Sequence, residues 1–341
     1  MTSAIRLGYN NNGLLTCMEP AQAMDFVADP SKGLGLHYLE FGPPPESTYM
    51  MYGKDPFAFS RYFGQLAKCA EKAGLIVPVV SSWVRDNRDV ASLDPDLHRA
   101  GVNVLKCLID LGQIFGAERM MSPAGTIRGY TTSEERAARY RNLMSAWKEA
   151  AKYARGRVKS LEIEQMSWED DPPQTIEQAR QMLAEFDEER GRHPDQSVPI
   201  HLRYDIGHGP TPPPEGGDCP EYHPKNWFGA FPGRIHGAHL KGFDYTRSSA
   251  RPLERVTRPD GPSSMEVVAS LVKAIESVPS GEAPEYFDLV MEIGILKERK
   301  HILRVQLDGI RETAGVVKGC LADCGYRDDG SGTWAKRELR L

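Results

Sequence analysis

The chain has 341 residues, 40% of them apolar, and a formal charge of −5, enough for one large domain or two ordinary ones. The mild negative charge gives no reason to expect nucleic acid or a membrane surface as partner, and no apolar run is long enough to span a bilayer. Cys17, Cys69, Cys107, Cys219, Cys320 and Cys324 are scattered, with no secretory segment ahead of them. Reduced thiols in the cytoplasm are therefore expected, and Cys320 with Cys324, lacking a second pair, is not read as a zinc site.

Ile5 to Asn10 reads as a first strand, Glu19 to Val27 as a short helix, and His37 to Phe41 as a second strand stopped by Gly42 and three prolines. Residues 43 to 55 are expected as a long loop. Asp55-Pro56 then opens a helix with an acidic cap and proline at its first position, carrying Phe59, Phe63, Leu66 and Ala70 at helical spacing. Leu75 to Val80 is a third strand. Asp94-Pro95 opens the next helix, through Val102, Leu105, Ile109 and Leu111 to Phe115-Gly116. Glu118 to Pro123 is a fourth, weaker strand, and Thr132 to Glu135 resembles a capping box for a helix reaching Gly156.

Ser160 to Ser167 is the fifth strand, followed by a helix from about Thr175 to Arg190. Val198 to Asp205 is the sixth; residues 210 to 226 are a Pro/Gly-rich excursion; Arg234 to Lys241 is the seventh. A helix over Ser263 to Val278, an eighth strand over Phe287 to Glu292 and a closing helix from Lys297 to about Leu321 complete the series. Strands alternating with helices, with no break in composition, predict one parallel (β/α)8 barrel over residues 1–325 and a polar, loose tail over 326–341. The alternative is a doubly wound open sheet; no Gly-x-Gly-x-x-Gly or Walker-type loop follows any strand, so nucleotide phosphate binding by those routes is not expected.

Glu162 and Glu164 alternate onto one face of the fifth strand, and a carboxylate inside a core needs a cation or donors. Asp205, His239 and Glu292 arrive at the ends of the next three strands, which in such a barrel gather at one mouth. Three carboxylates and one imidazole suit a single Mn²⁺, Mg²⁺ or Co²⁺ ion. Glu164 has pairing with an arginine as its alternative, and Asp205 capping of the turn at Ile206-Gly207. Glu162 is read as a structural carboxylate, His208 as a substrate contact and His236 as a core histidine. Asn10, Glu40, Ser82, Ser122, Arg203, Lys241 and Asp244 are candidates to line the mouth, and Trp83, Trp168 and Trp227 to wall a sugar, each with ordinary packing as its alternative.

Four patterns, Glu164-Gln-Met-Ser167, Tyr204-Asp-Ile-Gly-His208, Ala238-His-Leu-Lys-Gly242 and Val290-Met-Glu292, resemble in order those of the xylose-isomerase-like barrel superfamily, the sugar isomerases and epimerases related to apurinic-site endonucleases. The resemblance implies Glu164, Asp205, His239 and Glu292 as ligands of one divalent ion, with His208 touching substrate; Mn²⁺ is the ion expected foremost, and of the mouth candidates Arg203 and Lys241 are expected to contact substrate too. In ketose 3-epimerases of that superfamily the two metal-bound glutamates exchange the proton, which implies Glu164 and Glu292 as the catalytic pair here. Gln165 and Met166 look closer to the sugar-phosphate branch, whereas the long 210–226 stretch and the lack of a phosphate-gripping motif depart from the pattern. The expected activity is enediolate proton transfer on a ketose or ketose phosphate. Rival expectations are the large subunit of a carbon-glycoside-cleaving enzyme with a small partner subunit, a phosphodiester hydrolase, and a non-catalytic sugar-binding barrel. Met50, Met51 and Tyr52 hint at a homo-oligomer contact.

Overall fold

The computed structural model describes residues 3–82, 90–127, 129, 132–210, 219–244, 247–251, 253, 264–294 and 303–336. Eight parallel strands form the frame: β1 (Ala4–Asn10), β2 (Tyr38–Phe41), β3 (Ile76–Ser81), β4 (Arg119–Pro123), β5 (Ser160–Glu164), β6 (Ile200–Asp205), β7 (Ile235–Leu240) and, after a hairpin of β8 (Gly242–Asp244) and β9 (Arg247–Arg251), β10 (Tyr286–Met291). Each of the eight pairs with its neighbour, and β10 returns to β1 in a register running from Ala4 against Tyr286 to Tyr9 against Met291. That pairing closes the barrel, and an open doubly wound sheet is excluded. The helices are α1 (Pro20–Ala28), α2 (Pro45–Lys54), α3 (Pro56–Lys72), α4 (Pro95–Phe115), α5 (Ser133–Tyr153), α6 (Ile176–Arg192), α7 (Pro224–Ala230), α8 (Ser264–Glu276) and α9 (Leu303–Asp323).

The helix starts follow their caps. Asp55 Oδ1 accepts from the Ala58 amide at 2.8 Å, Asp94 Oδ1 from Asp96 at 2.8 Å, and Thr132 Oγ1 from Glu135 at 3.1 Å, each satisfying an amide that the first turn leaves orphaned. Phe59, Phe63, Leu66 and Ala70 form the buried stripe of α3, as their spacing requires. On the strands, Leu161 and Ile163 are buried in the apolar core while Glu162 and Glu164 alternate with them into the barrel. No helix among the described residues is long and apolar enough to cross a membrane.

Two expectations change. Residues 43 to 55 are not a long loop: α2 starts at Pro45, because the third proline takes the first helical turn, where its missing N–H costs nothing. Nor is the tail loose over residues 326–336. Tyr326–Asp328 (β11) and Thr333–Lys336 (β12) make an antiparallel hairpin, and β12 pairs with Ile5 and Arg6 of β1. β2 takes only Gly8 to Asn10 of that strand, so the backbone groups beneath are free for the hairpin. Tyr326 and Trp334, 0% and 8% exposed, anchor it, and Tyr38 Oη bonds Thr333 Oγ1 at 2.7 Å.

The barrel interior is charged where such barrels are usually filled by branched apolar side chains. Arg203 Nη2 lies 2.9 Å from Glu162 and 3.3 Å from Glu40, Arg119 reaches Glu162 at 3.1 Å and also pairs with Asp288, and Arg6 approaches Asp288 at 3.9 Å and Glu118 at 2.8 Å. Acids and bases alternate from the floor toward the mouth. Gly237 makes room for this ladder: a Cβ there would stand 1.9 Å from Arg203 Nη1.

At the lower end of β6 and β7 the rings of His201 and His236 stack with centroids 3.9 Å apart. Burial, with His236, Arg234 and Arg119 adding to it, pushes His201 down to about 2, and burial also lowers His236. A folded-state value below the unfolded one (about 6.5) stabilises the protein fully above pH ~6.5, and this contribution is lost as pH falls below it. The melting-temperature advantage of wild type over His201→Gln is expected to be flat above pH 7 and to shrink steadily from pH 6.5 to 5. An unchanged acid slope in that variant would refute the assignment.

Candidate metal centre

One ligand atom from each of Glu164, Asp205, His239 and Glu292 lies within 4.8 Å of the other three, and all four residues are buried. They come from the upper ends of β5, β6 and β7 and the residue following β10. Register explains the convergence. Asp205 stands opposite His239, and Glu164 opposite Arg203 one inward step lower, so the ligand side chains converge from neighbouring levels of the mouth. An ion with ligands at about 2.1 Å needs donors roughly 3 to 4 Å apart. The four ligand atoms lie within 4.8 Å of one another, close to that range.

His239 is the hub. Its Nδ1 lies 2.6 Å from Glu164 Oε1 and 3.7 Å from both Asp205 Oδ2 and Glu292 Oε2, while Nε2 lies 3.0 Å from Glu40 Oε1. The two nitrogens thus have separate tasks. Nδ1 faces the acids, and Nε2–H donates to Glu40, which orients the ring as a carboxylate orients a ligating imidazole. Glu40 is itself held by Asn10 Nδ2 at 2.6 Å and by Arg203. Burial alone would raise Glu40, but His239 and Arg203 outweigh it and bring it down to about 2. Burial would likewise lower His239, and the surrounding Glu40, Glu292 and Glu164 raise it instead. Glu164 goes the other way: burial lifts it, with Glu292 and Asp205 adding, against the pull of His239.

His208 sits beside the four. Its Nδ1–H donates to the Gln165 carbonyl at 2.6 Å, and Gln165 Nε2 donates back to the His208 carbonyl at 3.0 Å. Burial, with Lys241 adding, lowers His208 to about 4 despite Asp205, so its ring is neutral at pH 7 and Nε2 is a lone pair. Lys241 Nζ lies 3.4 Å from that nitrogen, 2.5 Å from Asp205 Oδ2 and 2.7 Å from Glu292 Oε2. Asp205 Oδ2 is buried without a hydrogen bond of good geometry, despite its closeness to the ammonium. A buried carboxylate oxygen short of donors, beside two further acids and an imidazole, is the donor set a divalent cation completes.

The other candidates fall elsewhere. Arg203 is 0% exposed and lies one layer beneath Asp205, bridging Glu162 and Glu40, so the expectation that it reaches substrate gives way to a supporting position. Glu162 is its partner and also that of Arg119, as a structural carboxylate would be. His236 is at the far end of β7 and bonds Gly233 O at 3.1 Å. Trp227 is buried on α7 with its indole N–H on Glu221 O at 2.8 Å, so it walls no sugar, whereas Trp168 is 45% exposed after β5. Ser82 bonds Tyr49 Oη at 2.7 Å, and Ser122 is buried. Trp83 and the side chain of Asp244 lie outside the described residues, as do positions 211–218 of the Pro/Gly-rich stretch. Reading the sequence missed the role of Glu40. The signal was there: a lone acid between Leu39 and Phe41 in a strand carries the same burial cost as Glu292.

A family model described as xylose isomerase-like TIM barrel matches residues 29–262. No curated protein matches the chain in sequence. Among solved structures, a candidate xylose isomerase from Rhodospirillum rubrum is 19% identical, with a TM-score of 0.69 over 92% of this chain and 99% of its own. D-psicose 3-epimerase from Clostridium cellulolyticum, solved with D-tagatose, is 13% identical, with a TM-score of 0.60 over 94% and 98%. The IOLI protein, solved with a zinc atom, is 13% identical, with a TM-score of 0.58 over 94% and 97%. At these identities the likeness is one of fold.

Proposed function

We infer the reaction from one premise: the chain belongs to the xylose isomerase-like TIM barrel family. The reading it supports best is a metal-dependent epimerase or isomerase of a ketose or ketose phosphate, working through an enediolate. The observation that carries it is the presence of two glutamates from separate strands, Glu164 and Glu292, in one buried cluster with Asp205 and His239. Structural likeness to a D-psicose 3-epimerase solved with D-tagatose lends support.

In this reading Glu164, Asp205, His239 and Glu292 hold one divalent ion, Mn²⁺ foremost with Mg²⁺ or Co²⁺ as substitutes. When bound, it supplies Lewis-acid stabilisation of the charge that develops on the substrate oxygens. Glu164 removes the proton α to the carbonyl. Burial lifts its proton affinity, and a base poised nearer neutrality transfers protons more effectively. Glu292, protonated at the start, delivers its own proton to the opposite face and inverts the centre, leaving Glu164 protonated and Glu292 ionised for the reverse direction. Return to the adjacent carbon gives aldose–ketose exchange. His208 Nε2 accepts from a substrate hydroxyl, its other nitrogen being committed to Gln165. Glu40 keeps the His239 ring in its tautomer, and the Arg203 ladder keeps Glu40 in place. Six cysteines with no disulfide among them fit a reducing compartment such as the cytoplasm.

Chelation verified by metal analysis is expected to abolish turnover, and Mn²⁺ or Co²⁺ to restore it, over a panel of ketoses and ketose phosphates in deuterated solvent. Deuterium should enter at the carbon next to the ketone. Full activity in verified metal-free protein would overturn the reading.

A further inference from the structure

Lys241 is a poor fit to a role as a simple substrate contact. It is 2% exposed, and its ammonium touches Asp205 Oδ2 and Glu292 Oε2, two of the oxygens that the metal reading assigns to the ion. The placement is built. Lys241 follows His239 by two residues and so projects to the same side of the β7 line. Its stem crosses Gly207, where an added Cβ would stand 2.9 Å from Lys241 Cε. The Gly207 amide donates to Asp205 Oδ1 at 2.7 Å, which turns Oδ2 toward the lysine. His208 Nε2, 3.4 Å away, offers the ammonium a neutral neighbour on the other side.

We propose that Lys241 is an internal cation that competes with the divalent ion for Asp205 and Glu292, so that metal binding releases its ammonium toward His208 and the substrate. The proposal rests on the metal reading above. Two cations cannot share the same carboxylate oxygens, because like charges at contact distance repel strongly in a buried site. The lysine therefore keeps the acid cluster neutralised before loading and sets the metal affinity lower than the four ligands alone would give. Once displaced, it becomes a positive group for a substrate hydroxyl or phosphate, so metal binding precedes tight substrate binding.

The test is calorimetric titration of Mn²⁺ into the whole chain, with melting curves before and after loading. Lys241→Met is expected to bind Mn²⁺ at least ten-fold more tightly than wild type, to melt several degrees lower without metal, and to recover on saturation with it. Gly207→Ala, which crowds the lysine stem without removing its charge, should tighten Mn²⁺ binding in the same direction by a smaller factor, and it serves if Lys241→Met does not fold. Unchanged or weaker Mn²⁺ binding in both variants overturns the competition. Failure of wild type and both variants to bind Mn²⁺ at all overturns the metal reading as well, a distinct result.

Discussion

Glu292→Gln is expected to lower turnover by at least about a hundred-fold, the lower end of what a positioned acid or base contributes, with loss of a ligand oxygen adding to it. The fold should survive. Lys241 keeps Asp205 as its partner at 2.5 Å, and a neutral amide in place of Glu292 removes a negative charge from a cluster already rich in them. The informative readout is exchange with deuterated solvent for each of the two epimers separately. With Glu164 intact and Glu292 disabled, one epimer should still exchange its α-proton while conversion between the two is lost. Glu164→Gln should show the mirror pattern. Exchange of both epimers at the wild-type rate in Glu292→Gln would remove this residue from the mechanism, and full turnover would remove the two-glutamate scheme altogether.

Arg203→Met is expected to cost about 3–5 kcal/mol of stability, the range for removing one partner of a buried ion pair. The reason lies in what is left behind. Glu40 and Glu162 have no exposure, and Arg203 is the guanidinium common to both, at 3.3 and 2.9 Å. Methionine fills the volume but leaves Glu40 with His239 and Asn10, and Glu162 with Arg119 alone among its cations. Arg203→Lys should rescue only part of the loss, since a single ammonium lacks the fork that reaches two acids. The effect should also travel upward. Once Glu40 is less firmly held, the His239 ring is less firmly oriented, and Mn²⁺ binding should weaken by roughly ten-fold or more. Denaturant midpoints equal to wild type would mean that the ladder contributes nothing to the fold.

How the site could be seen before the fold was known follows from cost. Glu164, Asp205, His239 and Glu292 stood out because charge amid apolar strand residues needs compensation, and because strand ends of such a barrel share one mouth. The same argument applied to Glu40 finds the fifth member, but it lies far upstream near the end of a short strand and reads as one mouth candidate among several. Arg203 was misplaced for a related reason. Sharing a face with Asp205 puts it in the barrel, but two residues along a strand is nearly 7 Å of depth, and depth separates a substrate contact from a buried strut. Its polarity makes the tail read as loose, although Tyr326 and Trp334 carry the apolar area that docks residues 326–336.

What the sequence alone determined is the local and periodic part: eight strands with their inward-facing residues, the capped starts of α3, α4 and α5, and the identity of the acids and imidazole at the mouth. These depend on propensities, alternation and the price of burying charge, all of which act within a few residues. What only the tertiary structure decided is which partner answers each charge: Glu40 for His239, Arg203 for Glu40 and Glu162, Lys241 for Asp205 and Glu292, and β12 for the open edge of β1. Those pairings join positions from 36 to 329 residues apart in the chain, and they are set by barrel closure, strand register and depth, quantities that exist only once β10 has met β1.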